Sequence, residues 1–221
     1  FVVAAIGMSA GGLKALMAFF AGLEALSEPP AAAFIVLPHL SATEKSRIAE
    51  LLQGHTRLAV HEVTEPTPIE PGHVYVLAAG SSLTVAQNRL EPRPRGQDMP
   101  PHPVDDLFLA LGPRYGARAV GIVLSGTGRN GSFGLTAIKE HGGIAFAQAP
   151  GTAEFTGMPR AAIETGLVDQ VLPPDRMPAA IAAYHAHLRR TGVAPANAGA
   201  SDAPAEEIAN RQACADFERF K

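Results

Sequence analysis

Val2-Val3-Ala4-Ala5-Ile6-Gly7-Met8-Ser9-Ala10-Gly11-Gly12 carries five apolar residues straight into a glycine-rich turn. No polar residue alternates with the apolar ones, so the stretch reads as a strand buried on both faces and ending at Gly7. Leu13, Leu16, Met17, Phe20 and Leu23 then recur at helical spacing and give one apolar face. Pro29 and Pro30 break that helix, and Phe34-Ile35-Val36-Leu37 is a second apolar run. A buried strand, a helix and a second buried strand form a crossover unit, which requires parallel strands.

The same rhythm continues along the chain. Thr43 followed by Ser46 to Leu52 predicts a second helix, with Ile48, Leu51 and Leu52 facing inward. Leu58 to Val63 alternates like a strand, and Val74-Tyr75-Val76-Leu77 is another, with Pro66, Pro68, Pro71 and Gly72 turning the chain between them. Leu83-Thr84-Val85-Ala86 and Arg89-Leu90-Glu91, joined at Gln87-Asn88, read as a β-hairpin. The proline-rich, charged stretch 92–103 reads as an exposed loop. Helices are predicted over Val104–Leu111, Gly134–His141, Pro159–Thr165 and Met177–Arg189. Strands are predicted over Ala119–Leu124, Ile144–Ala147 and Val168–Leu172. The expected fold is α/β: a doubly wound, mostly parallel sheet with helices on both faces and a β-hairpin insertion. Residues 1–190 form the expected domain. Residues 191–221 read as a linker rich in Ala, Gly, Asn and Pro and a possible start of a following domain.

Bulk composition narrows the function. The chain has 221 residues, 47% of them apolar, enough for one domain with a sizeable core. A net charge of −3 gives no basic surface for nucleic acid. No apolar run reaches the roughly 18 residues that span a bilayer, so no membrane insertion is expected. Phe1 to Ile6 lacks the basic flank and cleavage site of a signal peptide. The start at Phe1 without Met reads as a fragment of something longer. Cys214 is the only cysteine, which excludes an internal disulfide and fits a reducing cytoplasm.

Chemistry is expected beyond the carboxyl ends of the strands of such a sheet. Gly7-Met8-Ser9-Ala10-Gly11 spells G-x-S-x-G between a strand and a helix, the pattern that exposes a serine on a sharp turn. The helix amino terminus behind it offers free N–H groups to an oxyanion. A phosphate- or nucleotide-binding turn and a plain turn are the alternatives. The dinucleotide fingerprint G-x-G-x-x-G is not met, and Leu37-Pro38-His39 ends the second strand without an acid. His39 falls on the same edge as Ser9 if the two strands are neighbours, where it could shuttle the serine proton. His55, His61, His73, His102, His141, His185 and His187 lack such placement. Ser125-Gly126-Thr127-Gly128-Arg129-Asn130-Gly131 is a second strand-to-helix loop at that edge. A serine–histidine pair usually needs a third group, normally a carboxylate, and Asn130 stands there; it reads equally as a helix cap.

Five blocks carry a resemblance beyond any single motif. They are Gly7-Met8-Ser9-Ala10-Gly11-Gly12, Pro38-His39-Leu40, Glu70-Pro71-Gly72-His73-Val74-Tyr75-Val76, Leu124-Ser125-Gly126-Thr127-Gly128 and Gly157-Met158-Pro159-Arg160-Ala161-Ala162. In order and spacing, over about residues 1–190, they resemble the catalytic domain of the chemotaxis protein-glutamate methylesterases, the CheB family. Thr127 and the ending Val171-Leu172-Pro173-Pro174 are similar to versions fused to a CheR-type methyltransferase, and Asp216 to Lys221 faintly resembles the start of one.

The resemblance implies a serine hydrolase that cleaves methyl esters of glutamates on methyl-accepting chemoreceptors, or deamidates glutamines there, in the cytoplasm and without metal or organic cofactor. It places the nucleophile on Ser9, the base on His39 and the triad acid on Asn130, with Ala10, Thr127, Gly128 and Met158 on the oxyanion and site loops. Arg160 is a candidate for meeting an acidic receptor surface, or for a structural salt bridge. Asn130 departs from the family pattern, because an amide neither fixes the imidazole tautomer nor stabilises its charge. Three explanations stay open: a weak or inactive domain, an engineered trap, or rescue by Asp105 or Asp106. Deamidation at Asn130-Gly131 would also supply a carboxylate. The alternative function is a catalytically impaired signalling or binding module; a nucleotide-binding domain comes third.

Overall fold

The computed structural model describes residues 1–38, 47–94 and 102–192. In chain order these form β1 (Val2–Met8), α1 (Gly12–Glu24), β2 (Ala32–Pro38), α2 (Ile48–Gln53), β3 (Ala59–Val63), β4 (Thr67–Pro68), β5 (His73–Leu77), β6 (Ser81–Ala86), β7 (Arg89–Pro94) and α3 (Pro103–Tyr115). There follow β8 (Ala119–Val123), α4 (Leu135–Glu140), β9 (Ile144–Gln148), α5 (Gly157–Glu164), β10 (Gln170–Leu172) and α6 (Met177–Arg190). Seven strands make one sheet in the order β10-β9-β8-β1-β2-β5-β3, and every neighbouring pair is parallel. β4, β7 and β6 make a small antiparallel sheet.

The opening stretch explains the centre of this arrangement. All seven residues of β1 are buried. Successive side chains alternate between faces. Val2, Ala4 and Ile6 join a core with α1, α2 and α6. Val3 and Ala5 join the other, with α3, α4, α5 and Leu83 and Leu90 of the β6–β7 hairpin. On the α1 side Phe19, Phe20 and Phe34 pack edge to face, with centroids 5.4–5.9 Å apart. On the other side α3 and α4 approach so closely that a Cβ on Gly112 would lie 2.3 Å from the Ala137 carbonyl oxygen.

The chain leaves β1 toward β2 on one side and returns to β1's other side as β8, so the winding reverses between β1 and β8. α1 and α4 cover opposite faces there, which opens a crevice at the carboxyl ends of those two strands.

The structure adjusts several expectations. Leu51 on α2, expected to face inward, is 41% exposed, while Ile48 and Leu52 on the same helix are buried. α3 runs on to Tyr115, past Gly112-Pro113. Tyr115 is buried, and its hydroxyl donates to Asn88 Oδ1 at 2.6 Å, which ties the helix end to the hairpin turn. That turn holds Gln87 and Asn88 at φ 47° and 61°, the two left-handed positions of a type I′ hairpin. β10 begins at Gln170 rather than Val168. Asp169 accepts the Ala145 N–H and the Lys139 ammonium, so its side chain replaces a rung of the ladder. The stretch 92–103 contributes to β7 as far as Pro94 and to α3 from Pro103. The residues between, 95–101, lie outside the described residues, as do 39–46 and 193–221. Among the described residues no helix is long and apolar enough to cross a membrane.

Candidate active site

Ser9 is the first residue beyond β1. The β1–β8 ladder continues past the strand ends: Leu124 N–H donates to Gly7 O at 2.9 Å, and Ser9 N–H to Ser125 O at 3.0 Å. The two candidate loops are therefore held side by side. Gly12 N–H closes back onto Ser9 O at 2.8 Å, around Gly11 at φ 69°, ψ −3°. Those angles suit position i+2 of a type II turn, where only glycine is at ease. Space demands glycine there as well. A Cβ on Gly11 would lie 2.7 Å from Glu154 Cβ and 2.8 Å from Ser125 Oγ. The resulting turn leaves Ser9 partly exposed above the sheet. Among the described residues neither the Ser9 hydroxyl nor the Ala10 and Thr127 N–H groups have a hydrogen-bond partner.

The second loop is built around Ser125, which is fully buried. Its N–H donates to Gln148 Oε1 at 2.8 Å, and its hydroxyl donates to Ala10 O at 2.9 Å and accepts from Phe155 N–H at 3.0 Å. Ser125 thus clamps three segments together. Thr127 and Gly128 beyond it are exposed. Met158 is only 1% exposed, and its N–H donates to Gly126 O at 2.9 Å. A Cβ on Gly126 would lie 2.2 Å from Met158 Sδ and 3.0 Å from Ser9 Cβ. Met158 therefore supports the loop from beneath.

Asn130 is buried at the far end of this loop, 7% exposed. Its Oδ1 accepts the backbone N–H of Asp105 at 3.2 Å. Its Nδ2 is buried with no partner among the described residues. The Asp105 N–H needs an acceptor, so it fixes which end of the amide faces it and leaves the NH2 end facing away. The end of the side chain that faces away from Asp105 is therefore a donor. Asp105 itself accepts Gly134 N–H at 2.8 Å and lies 3.9 Å from His102 Nδ1. Burial pushes its carboxyl up, against the backbone N–H groups of Gly134, Gly131 and Phe133 that pull it down. Its carboxylate is occupied with capping the loop into α4, which argues against a free replacement acid.

His39 lies outside the described residues; Pro38, bonded to it, pairs with Met8 across β1 and β2. Of the other histidines, His55 and His141 bond helix carbonyls through Nδ1, and His61 bonds His73 at 2.8 Å on β3 and β5. Arg160 is exposed on α5 and has no ion pair among the described residues. Sequence reasoning passed over Gln148, Ser125 as a clamp, and the Asp105 N–H. Gln148 left one signal: a polar residue ending an apolar strand at the site edge.

Residues 4–181 match the family profile described as CheB methylesterase. The chain belongs to the CheB methylesterase family. A protein-glutamate methylesterase/protein-glutamine glutaminase of Anaeromyxobacter dehalogenans is 36% identical over 181 residues, which are 81% of this chain and 52% of that protein. One from Myxococcus xanthus is 34% identical over 187 residues, 82% and 53% of the two chains. The chain thus spans about half the length of these relatives. The crystal structure of the Thermotoga maritima CheB methylesterase catalytic domain aligns with a TM-score of 0.73 at 24% identity, over 82% of this chain and 97% of that one. That likeness shows the CheB fold. Within this CheB-family fold, the Ser9 turn and the Ser125–Asn130 loop sit at the reversal of the winding. Among the described residues no cluster of three or more His, Cys, Asp or Glu side chains is placed to hold a metal ion.

Proposed function

We propose that this chain is a serine-dependent methylesterase domain, spanning about residues 1–190, that acts on esterified glutamates of a methyl-accepting chemoreceptor. One observation carries the reading: Ser9 stands on a glycine-pinned turn at the carboxyl end of β1, locked against the Ser125 loop. In this mechanism Ser9 Oγ attacks the ester carbonyl and its proton passes to His39, the residue that follows Pro38 in the chain. The Ala10 and Thr127 N–H groups hold the oxyanion. Collapse of the tetrahedral intermediate expels methanol, protonated by His39. Water then attacks the acyl-Ser9 ester and restores the serine, releasing the free glutamate. A glutamine side-chain amide reacts by the same steps with ammonia leaving.

Asn130 makes this chemistry slow. Its outward NH2 asks a facing imidazole nitrogen to accept, which leaves the proton on the nitrogen that should take the one from Ser9. In a serine protease the same exchange costs about 10⁴ in turnover, about 5 kcal/mol of barrier. The Asn130 Nδ2, buried with no partner among the described residues, is the observation that favours a second reading, a binding module with little turnover.

Methanol release from a methylated receptor separates the two. The parent chain should release methanol slowly, Ser9→Ala not at all, and Asn130→Asp at least 100-fold faster than the parent. Parent and Asn130→Asp activities both indistinguishable from Ser9→Ala would remove the esterase reading and leave the binding module.

A further inference from the structure

A cleft of about 400 Å³ opens next to the Ser9 turn, between α1 and the segments 148–154 and 173–175. Gly11 of the Ser9 turn lines it, so the cleft borders the candidate site. It stays open because its α1 wall carries the small side chains Ala15 and Ala18. Phe155 flanks the same end. Its ring reaches to 3.1 Å from where a Gly11 Cβ would stand, and it is 39% exposed although its N–H and carbonyl are bonded to Ser125 and Gly126. An aromatic ring held open to solvent by a rigid backbone, beside a nucleophile, is a contact prepared for something else.

The cleft's charges point the same way. Lys14 rises from α1, and Glu154 and Asp175 stand on the facing segments. All three are exposed. Lys14 and Glu154 have no ion pair among the described residues, and Asp175 has only Arg176 at 3.9 Å. Opposite charges thus face one another across the cleft without meeting.

We propose that this cleft is the subsite for the stretch of substrate protein adjoining the modified glutamate, with a carboxylate of that stretch on Lys14 and a cation on Glu154. The proposal rests on the esterase reading for its substrate. The methyl leaving group occupies little space, so the remainder of a protein substrate has to lie along the surface leading from Ser9. This cleft borders the Ser9 turn and carries both charges unspent. Phe155 packs on the apolar stem of the arriving side chain.

Lys14→Glu, Glu154→Lys and Phe155→Ala test the assignment. The substrates are a methyl-esterified chemoreceptor fragment and, for comparison, p-nitrophenyl acetate. Each charge reversal should raise KM for the receptor fragment at least fivefold. The ratio of receptor to small-ester activity should fall by a similar factor, and Phe155→Ala should do the same through packing. Titration of the fragment onto the same variants in a Ser9→Ala background gives a binding readout that needs no turnover, and thermal midpoints confirm folding. Equal losses on both esters, or KM and Kd unchanged in all three variants, overturn the subsite. Binding of the fragment that neither the parent nor Asn130→Asp hydrolyses overturns the esterase reading alone, because the Kd series still decides the cleft. A fragment that is neither bound nor hydrolysed by either form overturns both.

Discussion

At the scale of single residues, Asn130 is where sequence and geometry meet most sharply. Its reading as a departure came from the resemblance that the five sequence blocks carry, but the direction of its amide came from Asp105 N–H, a group 25 residues away in the chain. A carboxylate at this position would accept that same N–H and still offer an acceptor to an imidazole. This is why Asn130→Asp is expected to gain rather than merely change activity. Gly126 is the second telling residue. A methyl there meets both Met158 Sδ and Ser9 Cβ. Gly126→Ala should therefore lower stability by about 1–3 kcal/mol, the usual cost of overpacking. It should also cut turnover of the Asn130→Asp form at least tenfold. Thermal unfolding and methanol release measure the two effects, and an unchanged turnover would show that the loop yields without disturbing Ser9.

Among the elements, α1 carries the serine turn at one end and an ion-pair anchor at the other. Glu24 in its last turn accepts the Arg57 N–H at 2.9 Å, the Arg57 guanidinium at 2.6 Å and the Thr56 hydroxyl at 2.8 Å. These bonds, the backbone one foremost, hold its carboxyl down at about 2. A carboxyl lowered by folding binds fewer protons in the native than in the unfolded chain. Its contribution is therefore complete above the ordinary carboxylate range and is lost as pH falls toward about 2. Bonds to a charged acceptor contribute roughly 1.5–3 kcal/mol. Arg57 is largely exposed, so solvent screening reduces the figure. Glu24→Gln should cost about 1–2 kcal/mol near neutral pH and should flatten the acid limb of stability against pH. Urea unfolding at a series of pH values would show this, and an unchanged acid limb would assign the acid sensitivity elsewhere.

For the whole molecule, stability rests on a sheet covered twice. Phe34 sits on β2 against Phe19 and Phe20 of α1 and is 1% exposed. Removing its ring should cost about 3–5 kcal/mol. Because β2 pairs with both β1 and β5, that loss should appear as one cooperative shift of the unfolding midpoint. Separate transitions for secondary structure and for tertiary packing in Phe34→Ala would contradict a single cooperative unit.

Most of the architecture was legible in the chain because it depends on local periodicity. Uninterrupted apolar runs identified the strands buried on both faces, and helical spacing marked α1. The Gly7–Gly12 and Ser125–Gly131 blocks announced themselves as turns at the same edge. What the sequence left open depends on contacts distant in the chain. Tyr115 carries α3 past Pro113 because it reaches Asn88, and Asp169 delays β10 because its carboxylate reaches Ala145 and Lys139. Ser9 followed from a motif with its own local geometry. The orientation of Asn130, the support of Met158 beneath Gly126, and the cleft leading away from Gly11 were settled only when parallel strands brought residues 9, 105, 125 and 158 together. Short-range spacing records which backbone conformation is cheap, whereas the direction of a buried hydrogen bond depends on whichever partner the fold delivers.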